Sequence, residues 1–116
     1  MSKGVELIAA ERQRQIEVEG WTAKHDAQHK REELVEAAIC YAYAAEATQY
    51  GPNCVTFSDG YRAGEGVPRL WPWDDPYWKP STDAIRNLVK AGALIAAEID
   101  RLMAQKHQEG GGKNGG

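Results

Sequence analysis

Apolar positions recur with helical period in three stretches of this chain. Val5, Ile8, Ala9, Arg12 and Ile16 share one stripe and Glu6, Gln13 and Glu17 fall opposite, which predicts an amphipathic helix over residues 5–19. Gly20 suits the left-handed residue that closes it, and Trp21 is placed to fold back on the last turn. The stripe is poor in large side chains, so this helix is expected on the outside of a bundle. A polar connector, WTAKHDAQHK from Trp21 to Lys30, offers Thr22 or Asp26 as the cap of a second helix, from about His29 to Tyr50. From Leu34 that helix reads LVEAAICYAYAAEA, apolar nearly all the way round. It is expected to be the central helix, with alanines that let neighbouring backbones approach. Gly51-Pro52 stops it.

Residues 51–80 keep no period, and all the prolines of the chain lie there, at 52, 68, 72, 76 and 80. A short hairpin around Val55-Thr56-Phe57 and Tyr61, turning at Ser58-Asp59-Gly60, is compatible with the pattern. A loop this long in a small domain points to function or disorder, and its six aromatic residues point to packing. A third helix follows Pro80, with Ser81 or Thr82 as cap and Asp83 in the first turn, where the helix dipole favours a carboxylate. Its stripe is the cleanest of the three: Ile85, Leu88, Val89, Gly92, Ile95, Ala96, Ile99, Leu102 and Met103, with Arg86, Asn87, Lys90, Glu98 and Arg101 expected outside.

Length adds that 116 residues make one domain, taken as 1–107, with a Gly-rich tail over 108–116 expected to be disordered. Seventeen alanines leave a modest core, so oligomerisation through helices two and three is expected. The net charge of −3 supplies no footprint for strong duplex-DNA binding. No apolar run is long enough for a transmembrane helix, and the N-terminus turns polar too early for a secretory signal. Cys40 and Cys54 have no zinc-type spacing and read as free thiols in a reducing, cytoplasmic compartment.

Three constellations carry candidate chemistry. His25-Asp26-x-x-His29 could supply metal ligands, or could cap the helix through local hydrogen bonds. Glu32, Glu33 and Glu36 form an E-E-x-x-E pattern, which is also the ordinary enrichment of acids in a first turn. Trp71-Pro-Trp-Asp-Asp-Pro-Tyr-Trp-Lys-Pro80 sets rings on a stiff backbone beside Asp74, Asp75, Lys79 and Arg86. Such rings stack on planar ligands, and they equally plug the shallow groove of an Ala-rich bundle.

The E-E-x-x-E run resembles the first half of the metal site in all-helical nucleotide pyrophosphohydrolases of the MazG type. That resemblance implies magnesium on Glu32, Glu33 and Glu36, but the matching E-x-x-D is missing from helix three, where Glu98 and Asp100 stand two apart. The segments ERQRQIEVEGWTAKHDAQH, EELVEAAICYA, WPW…YWKP and LVKAGALIAAEIDRL together resemble a family of small tailed-phage and prophage proteins; members often read H-D-D-Q-H where this chain has Ala27. That resemblance implies a phage accessory protein. Arg14 to Trp21 and Lys90 to Ile95 are more faintly similar to the ryanodine-receptor repeat domain, which implies a nucleotide-like ligand.

The expectation is an all-α three-helix bundle with a long Trp/Pro-rich loop, acting by binding rather than catalysis and needing no cofactor. It would sequester a small nucleotide-like ligand or inhibit a host defence protein. The alternatives are a MazG-like hydrolase and a purely structural oligomer. The loop is long enough to return along helix two. Trp21, His25, Asp26, His29, Trp73, Asp74, Lys79 and Arg86 are therefore expected around one pocket.

Overall fold

A computed structural model describes residues 2–19, 33–50 and 66–111. Three helices carry the fold: α1 (Lys3–Glu19), α2 (Glu33–Tyr50) and α3 (Ala84–Gly111), with one turn of 3₁₀ helix at Asp75–Tyr77 between α2 and α3. No strand occurs among the described residues, and the protein is a small all-α bundle. The hairpin expected near residues 55–61 and the helical turn expected at 29–32 lie outside the described residues. No described helix is long and apolar enough to cross a membrane. The helical backbone of α3 runs to Gly111, past the boundary expected at 107.

The central helix is α3, not α2. Among the described elements α3 packs on both other helices, and the backbones of α1 and α2 do not come close to each other. The seam between α2 and α3 is built from small residues: Ala37, Ala38 and Cys40 of α2 close on Ala91 and Ala97 of α3, with Leu34 and Leu94 filling the layer between. Burying Leu34, 2% exposed, contributes about 1.5–3 kcal/mol. Burial, reinforced by the nearby Glu36 charge, pushes the Cys40 thiol up to about 12, so this cysteine is inert core.

The alanine seam also turns α3 about its axis from the expected orientation. Helices approach closely through the face with the smallest side chains, here Ala91, Ala93 and Ala97. The residues expected outside are consequently inside: Asn87 is fully buried, as is nearly all of Arg101. Each has partners that make burial tolerable. Arg101 donates to Glu98 from Nε and Nη2, and Asn87 exchanges two hydrogen bonds with the backbone of Ser81. Most of the large residues of the stripe expected to be core face out instead, with Ile85 at 62% and Ile95 and Ile99 each about half exposed, while Val89 is buried and Gly92 is packed by Ile8 as expected.

Asp83, not Ser81 or Thr82, caps α3. Its Oδ1 accepts the Ile85 N–H at 2.9 Å, and Ser81 Oγ in turn accepts the Asp83 N–H. On the other side, α1 docks through polar groups. Arg12 falls on the apolar stripe of α1 and is buried there. It donates from Nε and Nη2 to Asp100 Oδ2 at 3.1 and 2.9 Å.

Candidate functional site

The segment before α3 folds back on α2. Trp71 is buried and forms the hub, with its ring 5.8 Å from Tyr41, 5.3 Å from Trp73 and 5.0 Å from Trp78, all near edge-to-face. Each indole N–H has an acceptor. Trp71 donates to the Asp74 carbonyl, Trp78 to the Gly66 carbonyl and Trp73 to Glu33 Oε2 at 3.0 Å. The last of these bonds ties the loop to the first residue of α2. Trp71 plugs the bundle, while Trp73 and Trp78 stay part-exposed.

Beside this cluster lies an open cleft of about 710 Å³ between α1, α3 and the loop. Of the sequence-predicted residues, Trp73, Asp74, Lys79 and Arg86 all line it. Trp21, His25, Asp26 and His29, and Glu32 of the acidic run, lie outside the described residues. Glu33 is engaged by Trp73, and Glu36 lies near the Cys40 thiol. Among the described residues no three His, Cys, Asp or Glu side chains are grouped to hold a metal ion.

The sequence reading missed the cleft's electrostatic centre. Glu11 of α1 is buried at its floor between two guanidinium groups. Its Oε1 accepts from Arg14 Nε at 3.0 Å and from Arg86 Nη2 at 2.8 Å, and its Oε2 accepts from Arg14 Nη2 at 2.8 Å. Burial raises the pKa of Glu11, but the hydrogen bonds and charges of Arg14 and Arg86 outweigh it, and the carboxyl is held below its ordinary range. Lys90 adds a third cation. Its ammonium donates to the Lys79 carbonyl at 2.7 Å and stands 5.3 Å from the Tyr41 ring centre. Burial lowers its pKa, and the charges of Arg86, Arg14 and Lys79 lower it further against the opposing pull of Glu11.

Gln15, 3% exposed, completes this wall of the cleft. Its amide Nε2 donates to Glu11 Oε2 at 3.4 Å, and its Oε1 is a buried acceptor with no partner among the described residues. Such a group costs about 1–3 kcal/mol unless something else supplies a donor. One signal in the sequence could have found this centre. Arg86 and Lys90 are one turn apart on α3, and like charges at that spacing repel unless an anion lies between them and a neighbouring element.

Four cations (Arg14, Lys79, Arg86, Lys90) and two carboxylates (Glu11, Asp74) line the cleft, a positive balance in a chain of net charge −3. The arrangement can take an anionic group against the cations and a planar group against the exposed rings of Trp73 and Tyr77. No family model, curated protein or solved structure matches the chain.

Proposed function

We propose that this protein is a non-catalytic binding protein for a small, planar, anionic ligand of nucleotide type. The observation that carries the reading is the convergence of Arg14, Arg86 and Lys90 on one cleft edged by Trp73. Among the described residues the buried carboxylate Glu11 pairs with both guanidinium groups, which remain part-exposed. An incoming phosphate would relieve the repulsion among them, and a base would lie on the indole. Gln15 Oε1, without a partner among the described residues, adds an acceptor that a base N–H or an ordered water would satisfy. A volume of about 710 Å³ falls within the size range of small-molecule sites. Sequestration of such a ligand also fits the accessory role implied by the likeness to phage proteins.

Titration with adenosine and guanosine monophosphates, followed by tryptophan fluorescence, tests the reading. Saturable quenching is expected, weaker for the nucleosides and for inorganic phosphate alone. In the Arg14→Ala and Lys90→Ala variants affinity should fall about tenfold or more, the loss of roughly one charge-assisted contact. Absence of saturable binding of any of these probes at millimolar concentration overturns the proposal.

A further inference from the structure

The outward face of α3 carries a repeat whose large side chains stay about half exposed, while Ile8 of α1 packs over Gly92 at its middle. Ile85, Leu88, Gly92, Ile95, Ile99 and Leu102 follow one another at intervals of three, four, three, four and three residues. That is the spacing of the paired positions of a two-stranded coiled coil, with Ile85, Gly92 and Ile99 at the first position of the heptad and Leu88, Ile95 and Leu102 at the second. In the structure Ile85, Leu88, Ile95, Ile99 and Leu102 are all about half exposed or more, and Met103 extends the patch. The packing of α3 on α2 uses the other side of the helix, through Ala91, Leu94 and Ala97.

We infer that two copies of this chain pair symmetrically through this face of α3. Area is the first argument. About half of six large apolar side chains gives on the order of 500 Å² per copy and about 1,000 Å² across a pair, the lower bound for a specific interface. Charge is the second. The carboxylates nearest the stripe are already neutralised within the chain, Glu98 by Arg101 and Asp100 by Arg12. Over the span from Ile85 to Leu102 a second copy therefore meets an apolar seam without like-charge repulsion. Gly92, where the repeat lacks a side chain, is filled at its edge by Ile8 of α1. The pairing leaves the ligand cleft open, because Arg86, Lys90 and Leu94 line it from the opposite side of α3.

Sedimentation equilibrium of the full chain at micromolar to submillimolar concentration tests the pairing. A mass twice the 12.8 kDa of one chain is expected. The Ile95→Glu/Ile99→Glu double variant should return to the single-chain mass while keeping its helical circular dichroism. Leu102→Glu, near the far end of the face, provides a second, milder disruption that should raise the dissociation constant at least tenfold. A wild-type chain that stays at single-chain mass overturns the inference whatever the variants do. So does a folded double variant that remains a dimer. Neither result depends on ligand binding at the cleft.

Discussion

Ile8 of α1 lies so close over Gly92 of α3 that a β-carbon built on Gly92 would stand 2.6 Å from Ile8 Cδ1 and 2.9 Å from Cγ1. Gly92 interrupts a long helix, where glycine costs about 0.5–1 kcal/mol relative to alanine. The close approach of α1 explains why the residue is nevertheless small. Gly92→Ala should therefore destabilise by about 1 kcal/mol, the overpacking cost exceeding the gain in helix propensity. In an Ile8→Ala background the same substitution should become stabilising. Urea unfolding of the two single variants and the double variant gives the coupling directly, and an additive cycle would mean that the two residues do not meet.

Asn87 fixes where the Trp loop ends. It is fully buried, its Oδ1 accepts the Ser81 N–H at 2.8 Å and its Nδ2 donates to the Ser81 carbonyl at 2.9 Å. Asn87→Ala leaves two backbone groups unpaired and should cost about 2–4 kcal/mol. Asn87→Asp keeps the acceptor but turns the donor against a carbonyl, and it should be no better tolerated. The thermal midpoint reads both, and a loss under 1 kcal/mol would show that water replaces the clamp.

The positions of the helices were legible because helical period and the breaks at Gly51-Pro52 and Pro80 are local signals. The rotation of α3 was not. Its stripe of Ile and Leu has the strongest periodicity in the chain, and periodicity reports a face without saying what covers it. The face that packs in the described structure is made of Ala91, Ala93, Leu94 and Ala97 with Asn87 and Arg101 among them, a set that reads as neutral to polar along the sequence. The order of packing was hidden for a related reason. α1 is held on α3 by Arg12–Asp100 and Glu11–Arg86, contacts between residues far apart in the chain that no local pattern announces. At the cleft, Trp73, Asp74, Lys79 and Arg86 were legible from composition alone. Glu11, Arg14 and Gln15 carry no local signal of a site, since only the docking of α1 makes them a wall.

Glu11 makes stability depend on acid. Its folded pKa lies below its unfolded value, so the unfolded chain binds more protons in that range and stability rises with pH there. The contribution is complete above the ordinary carboxylate range and is lost as pH falls through the depressed folded value. Glu11→Gln should remove this part of the acid limb. At neutral pH it should cost about 1–3 kcal/mol, less than orphaning fully buried charges because Arg14 and Arg86 keep access to water. Thermal unfolding of both proteins from neutral to strongly acidic pH checks the sign. An acid limb that stays the same in Glu11→Gln would assign it to other carboxylates.

Lys90 gives ligand binding a dependence on alkaline pH. Burial, followed by the charges of Arg86, Arg14 and Lys79, holds its pKa below the ordinary lysine value. An anion in the cleft favours the charged form, so binding raises that pKa, and where the free protein is partly deprotonated it takes up a proton. Linkage fixes the direction: affinity for a nucleoside monophosphate is greatest below the lowered pKa and weakens as pH rises through it. Lys90→Arg keeps the charge at every accessible pH and should flatten this limb. Lys90→Met should lose about tenfold in affinity at neutral pH and show the same flat limb, the equivalent of about 1.4 kcal/mol. Calorimetric titration in buffers of different ionisation enthalpy measures the proton uptake itself, which should be present in the wild type at alkaline pH and absent from both variants. Uptake that persists in Lys90→Met would move the titrating group elsewhere in the cleft, and affinity unchanged by both substitutions would take Lys90 out of the binding surface.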